Sequence, residues 1–176
     1  MFFSVKELEL KKVRFEVAFP PSEIEYDEGL RQATPLEVQG SAELLPHTQG
    51  EIRIRGHLKV RMRSECDRCL DPAEFPIDSS FDLFYRPADR TDYNEEVEID
   101  EGESEIAFYE GAGIELKDVL REYVLLSMPM QRICREDCHG ICPVCGQNRN
   151  LVNCGCEVKP VDDRWSVLKN LQTKGI

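Results

Sequence analysis

Eight cysteines fall into four close pairs, Cys66/Cys69, Cys134/Cys138, Cys142/Cys145 and Cys154/Cys156. No other feature limits the possible folds as strongly. One tight turn can aim two neighbouring sulfurs at a single point, and a tetrahedral ion asks for four sulfurs about 2.3 Å from its centre. Eight thiols suffice for two four-sulfur sites. Zinc is the default ion, although ligand type alone leaves iron open. Disulfides are one rival. The opening residues Met-Phe-Phe-Ser-Val-Lys-Glu-Leu-Glu-Leu-Lys-Lys hold no long apolar core of the kind an export signal needs. No run of about 18 apolar residues offers a membrane span. The expectation is a cytoplasmic chain with reduced thiols, where paired cysteines mean metal. A redox dithiol, the other rival, would want one C-x-x-C in a βαβ setting rather than four pairs of mixed spacing.

The sharpest local signal is Cys142-Pro143-Val144-Cys145-Gly146. Pro143 presets the turn, and Gly146 tolerates positive φ just after the second sulfur, which turns backbone N–H groups toward the thiolates. This is a zinc-knuckle pattern of the zinc-ribbon type. Two partitions of the pairs are open. In the favoured one, Cys142/Cys145 and Cys154/Cys156 close a short loop, C-x2-C-x8-C-x-C. Cys66/Cys69 then joins Cys134/Cys138 across more than sixty residues and staples the middle of the chain to its end. In the other, Cys134, Cys138, Cys142 and Cys145 form one local site and Cys66/Cys69 is left with Cys154/Cys156. His139, directly after Cys138, is a possible substitute ligand.

Charge restricts the partners. The formal net charge is −12, and each four-thiolate zinc site carries about −2, so two loaded sites bring the total to roughly −16. Such a chain does not grip phosphate backbones by bulk attraction, so any nucleic-acid contact must use a local basic surface. The acids are concentrated early. Residues 1–116 hold 13 Lys/Arg and 27 Asp/Glu, whereas 117–176 hold 9 and 7. Arg68, Arg132, Arg135 and Arg149 flank the cysteines, either offsetting thiolate charge through hydrogen bonds or touching phosphate.

Alternation marks strands over 13–19 and 36–44, separated by a loop at 20–34 that carries an acidic cluster at Glu23, Glu25, Asp27 and Glu28. Pro46 to Gly50 reads as a turn. The next strand is unusual. Ile52, Ile54, Gly56, Leu58, Val60 and Met62 alternate with Arg53, Arg55, His57, Lys59, Arg61 and Arg63, so one face is apolar and the other basic. Gly56 suggests a bulge or twist. The basic side chains Arg53, Arg55, Lys59, Arg61 and Arg63 are the candidate RNA- or partner-binding face. Cross-strand pairing with Glu37, Glu43, Asp78 and Asp82 is the competing explanation, with too few acids to match every base. Cys66-Asp67-Arg68-Cys69 then forms a hairpin corner, and the chain returns through Phe75, Ile77, Phe81, Leu83 and Tyr85.

Residues 89–105 hold nine acids and one arginine, without EF-hand spacing, and read as a solvated loop with short strands near 97–99 and 106–109. Leu116, Val119, Leu120, Tyr123 and Leu126 predict a helix over 115–127, which Pro129 ends. Asp162 to Leu171 suggests a short final helix, with Trp165, Leu168 and Leu171 on one face. The expected fold is therefore α+β. It is a twisted antiparallel β-sheet or open barrel packed by one helix (1–130), followed by a cysteine-rich zinc module and short final helix (131–176).

Several stretches in order resemble the YceD-like family, the large ribosomal RNA subunit accumulation proteins. They are Cys66 to Leu70, Arg121-Glu122 through Met128-Pro129, Ile133-Cys134 to Cys138 and Gly140 to Gly146. Asn148, Asn150, Cys154-Gly155-Cys156 and Arg164-Trp165 with Leu168 and Leu171 complete the likeness. It covers most of the chain from about residue 50. Asp163 departs from it, since the family tends to have proline before the arginine. The resemblance implies a bacterial or organellar factor for accumulation of 23S rRNA, linked with a small large-subunit ribosomal protein, and implies no enzymatic activity. Relatives that keep the first C-x-x-C and a later cysteine or histidine, without the knuckle, favour joining Cys66/Cys69 to Cys134/Cys138. The expected cofactor is zinc, two structural ions. The expected partners are large-subunit rRNA or its precursor, a large-subunit ribosomal protein, or both, with no membrane and no small-molecule substrate. An acidic adaptor or chaperone for a basic ribosomal protein, never touching RNA, is the alternative. An enzyme finds no support, since H-E-x-x-H, P-loop, G-x-S-x-G and dinucleotide motifs are all missing.

Overall fold

The computed structural model describes residues 1–157 other than 28, 49 and 89–105. Its elements in chain order are β1 (Phe2–Ser4), α1 (Val5–Leu10), β2 (Val13–Phe19), β3 (Arg31–Gln32), β4 (Leu36–Leu44), β5 (Ile52–Glu65), β6 (Pro72–Pro87), β7 (Ile106–Tyr109), β8 (Gly113–Glu115) and α2 (Leu116–Ser127). The main sheet runs β2-β4-β5-β6-β7, with β3 added alongside β5, while β1 and β8 form a separate pair. No helix among the described residues is long and apolar enough to cross a membrane.

The β5–β6 hairpin is the spine, held in one unbroken antiparallel register from Ile52↔Tyr85 to Glu65↔Pro72. Its strict alternation decides which side is covered. Ile52, Ile54, Leu58, Val60 and Met62 are all buried, each contributing about 1.5–3 kcal/mol relative to exposure. Opposite them, α2 places Leu116, Val119, Leu120 and Val124 into the core, a helical repeat matched to one face. Tyr123 locks the two layers. Its ring lies 5.2 Å from that of Phe81, and its hydroxyl donates to the Ser80 carbonyl at 3.1 Å. The helix ends at Met128, whose ψ of 141° is the extended state that a following proline imposes.

Of the bulge or twist expected at Gly56, the bulge is absent. The β4–β5 register passes through Gly40↔Gly56 without a slip. The glycines serve close backbone approach instead: a Cβ on Gly40 would lie 2.3 Å from the Arg55 carbonyl oxygen, and one on Gly56 would lie 2.5 Å from that of Gln39. Phe15 and Phe81 from the flanking strands cover this row on the inner side.

Other expectations change too. Among the described residues the sheet is open, since β2 and β7 end the strand path without pairing with each other. It is also mixed rather than wholly antiparallel, because β7 runs parallel to β6. A second helix, α1, occupies the N-terminal stretch, capped by the Ser4 hydroxyl accepting from the Glu7 N–H at 3.2 Å. The 20–34 loop contains the two-residue strand β3. The acidic 89–105 segment and the expected helix carrying Trp165 lie outside the described residues.

Candidate metal centres and the charged sheet face

The first centre grows from the hairpin corner. The N–H of Cys66 donates to the Asp71 carbonyl at 2.8 Å and that of Leu70 to the Cys66 carbonyl at 2.9 Å, which closes the turn. The loop after α2 docks on it reciprocally. The Asp67 N–H donates to the Arg132 carbonyl at 2.8 Å, and the Arg132 N–H donates to the Asp67 carboxylate at 2.7 Å. This brings Cys134 and Cys138 over Cys66 and Cys69, with all four sulfurs within 4.8 Å of one another. Cys66 and Cys138 are 3.9 Å apart and Cys69 and Cys134 are 3.7 Å apart. Bonds of 2.3 Å to a tetrahedral ion give sulfur–sulfur edges of about 3.8 Å, while a disulfide needs about 2.05 Å. The cysteines are free, and the spacing fits an ion. Ala73 and Phe75 are buried with this cluster, and Ile133 and Met128 pack against it.

The second centre gathers Cys142, Cys145, Cys154 and Cys156, again with all sulfurs within 4.8 Å. Its turn repeats the first: the Gly146 N–H donates to the Cys142 carbonyl at 2.8 Å, as Leu70 does to Cys66. Both following residues have positive φ, 73° at Gly146 and 64° at Leu70. Cys142 is buried, whereas Cys145 and Cys156 are exposed. The two centres are bolted together. The Ile141 N–H donates to the Arg68 carbonyl at 2.9 Å, Arg68 Nη1 to the Cys138 carbonyl at 3.2 Å and Asn148 Nδ2 to the Asp71 carboxylate at 2.6 Å. The structure thus groups the cysteines by the favoured partition, and His139 joins neither group. Its backbone N–H donates to Asn150 Oδ1 at 2.8 Å.

The surroundings favour anionic sulfur at chosen positions. Burial pushes the Cys66 thiol up, but N–H groups of Cys69, Arg68 and Cys134 outweigh it and hold the group at about 6. The N–H groups of Cys145 and Val144 do the same for Cys142, also at about 6. The Asn150 amide, 3.4 Å from the Cys138 sulfur, lowers that thiol as well. Their neighbours go the other way. The Asp71 N–H pulls Cys69 down, yet burial and the adjacent sulfurs raise it to about 12, and Cys145 and Cys154 raise Cys156 to about 12. N–H donors invite charge that four adjacent thiolates cannot all carry unaided. A bound cation resolves that conflict. Asn148 and Asn150 carried no assigned role in the spacing argument, because an amide that orients a sulfur leaves no cysteine-like spacing signal.

The basic strand lies on the solvent face of the sheet, between two acidic strands. Arg53 donates to both Asp82 carboxylate oxygens, at 2.7 and 2.5 Å. Lys59 lies 3.9 Å from Asp78, which also meets His57 at 2.9 Å. Arg61 and Arg63 share Glu74, at 3.4 and 2.5 Å. The Arg53 guanidinium holds the Asp82 carboxyl below the usual range, and Arg63 does the same for Glu74. Of the five candidate side chains, Arg55 alone makes no ion pair among the described residues. Lys159, a further basic residue that could extend this surface, lies outside the described residues.

A family model described as "Large ribosomal RNA subunit accumulation protein YceD" matches residues 54–172. Uncharacterized proteins of Mycobacterium bovis and of Mycobacterium tuberculosis strains CDC 1551 and H37Rv are each 29% identical over 118 residues, covering 66% of this chain and 54% of the relative. The chain therefore spans about half the length of the curated relatives it matches. No solved structure matches.

Proposed function

The chain belongs to the large ribosomal RNA subunit accumulation protein YceD family, and from that membership we propose a zinc-stabilised, non-catalytic factor in large ribosomal subunit biogenesis. It supports accumulation or processing of 23S rRNA by binding that RNA, its precursor or an assembly partner. The observation that carries the non-catalytic part is the donor set of the two cysteine clusters. Each supplies four protein sulfurs, so a tetrahedral ion held there has no position left for water or substrate. Such an ion supplies cross-linking and charge neutralisation. Cys66, Cys69, Cys134 and Cys138 would hold one, and Cys142, Cys145, Cys154 and Cys156 the other. We divide the chain into a sheet domain with its packing helix, 1–130, and a cysteine-rich module, 131–176, stapled by the first cluster.

A second reading has its own support. It rests on the net charge of −12 and on the acids that answer most of the basic strand, which suit a basic protein partner. Affinity capture from cells, with and without nuclease, decides between them. Large-subunit rRNA captured with the chain, and a ribosomal protein lost after nuclease, is the outcome expected for RNA binding. Retention of a basic protein after complete RNA removal overturns it in favour of the adaptor.

A further inference from the structure

The solvent face of the sheet is not uniformly satisfied. Arg14 on β2 and Arg55 on β5 are exposed and make no ion pair or side-chain hydrogen bond among the described residues. Of the acids on this face, Asp82 is taken by Arg53 and Glu43 by Lys12 at 2.8 Å, while Glu16 lines the same concavity as the two arginines. Both arginines line one open concavity of about 880 Å³ whose floor includes Gly40 and Gly56. Residues 40 and 56 face the core, where Phe15 and Phe81 cover them, so the floor of the concavity on the solvent side is strand backbone. Gln39, His57 and Ser80 add hydrogen-bonding groups around the rim.

On the same face, across the sheet, stands an aromatic side chain. β7 pairs Arg86↔Phe108 and Phe84↔Ile106, so Phe108 shares the side of Phe84 and of the basic strand. Phe108 is 61% exposed in a four-residue edge strand whose Tyr109 is buried. Four strand spacings, about 19 Å, and a four-residue offset along the strands, about 13 Å, put Arg14 and Phe108 roughly 23 Å apart, a distance that a few nucleotides of single strand can cover. Two exposed guanidinium groups without ion pairs among the described residues, with an exposed ring beyond them, are suited to phosphates and an unstacked base. A duplex hides its base faces and would leave the ring unused.

We propose that single-stranded RNA crosses the solvent face of the sheet, with phosphates at Arg14 and Arg55 and a base stacked on Phe108. This rests on the RNA-binding reading above and narrows it: Arg53, Arg61 and Arg63, already held by acids, contribute less than Arg14 and Arg55. The test is fluorescence anisotropy of the metal-loaded chain with a labelled ~12-nucleotide RNA over a series of salt concentrations. Thermal melting and metal content confirm that each variant is folded. Arg14→Ser with Arg55→Ser flattens the slope of log affinity against log salt by about 1.4, at about 0.7 per phosphate contact. Phe108→Ala weakens binding about tenfold with the slope unchanged, as loss of one stacked base does. Arg61→Ser with Arg63→Ser weakens binding less than the Arg14/Arg55 pair. If the wild type binds the RNA but neither the slope nor the stacking effect appears, or the Arg61/Arg63 pair has the larger effect, this placement is wrong and RNA binding itself survives. If the wild type does not bind the RNA, the RNA-binding reading falls with it.

Discussion

The two cysteine clusters share a turn geometry but not a setting. Around Cys66, Cys69, Cys134 and Cys138, three sulfurs are buried, Phe75 and Ala73 pack alongside, and the cluster ties a hairpin corner to a loop more than sixty residues later. Around Cys142, Cys145, Cys154 and Cys156, only Cys142 is buried, and the ligands span a short local loop. A crosslink between distant segments removes more freedom from the unfolded chain than a local one. Burial also places the first cluster's charge where an unpaired group is most costly. The first centre therefore belongs to the core of the fold, and the second is a knuckle mounted on it.

The largest effects test that contrast directly. Cys66→Ser removes a ligand from the buried cluster and leaves three thiols beside apolar neighbours. The expected result is one metal per chain in native mass spectrometry and a stability loss of more than about 3 kcal/mol, the range for loss of a structural metal. Cys145→Ser also leaves one metal, yet costs the sheet less than about 1 kcal/mol, read as the melting of the β5–β6 core by hydrogen exchange. Equal losses for the two variants would break the distinction. Loss of both ions from either variant would show that the hydrogen bonds through Arg68, Asp71 and Asn148 make the centres one cooperative unit.

A middle-sized effect comes from the residue after each knuckle. Leu70 holds φ 64° and is 56% exposed, so it bears the left-handed penalty with little burial in return. Gly146 occupies the same place in the other turn without that penalty. Leu70→Gly is expected to stabilise the chain by about 1 kcal/mol and Gly146→Leu to destabilise its own knuckle by about 1–2 kcal/mol, measured by denaturant titration and metal retention. Destabilisation by Leu70→Gly would mean that the leucine side chain supports the corner after all.

Much of this is legible in the sequence alone. Period-two alternation located β2, β4 and β5 because each buries one face only, and the short C-x2-C-x8-C-x-C loop together with family likeness favoured, over one open alternative, the pairing of Cys66/Cys69 with Cys134/Cys138. Parallel β7 was not legible. Its register on β6 depends on a connection through 89–105, whose composition says only that it is acidic. Gly56 misled because a glycine inside a strand marks either a bulge or a close approach, and which one holds is decided by the partner glycine at position 40, on another strand. The basic face was visible, and so was its pairing with Asp78 and Asp82, but the part played by Glu74 was not. Glu74 sits in the next strand at a position that pairs with Arg63 only once the hairpin register is known. Phe108 went unnoticed for a similar reason, since a four-residue strand does not reveal which of its faces a neighbour will cover.

The smallest effect separates the clusters from the ion pairs beside them. Glu74 sits two strand positions after the start of β6, next to Phe75 of the first cluster's apolar jacket, and its carboxyl is held below its ordinary value by Arg63 and then Arg61. A depressed folded-state value means that the pair's contribution is present above the unfolded carboxylate range and disappears as pH falls through the folded value. Glu74→Gln should therefore lower the melting temperature slightly at neutral pH, by much less than any cysteine substitution, because exposed pairs contribute little. The gap between wild type and variant should close as the pH drops below about 4. Melting series at stepped pH, with metal content followed in parallel, read both changes. A gap that persists in acid would assign the loss to altered packing around Phe75, and a neutral-pH loss as large as that of Cys66→Ser would mean that the corner is held by its charges rather than by its sulfurs.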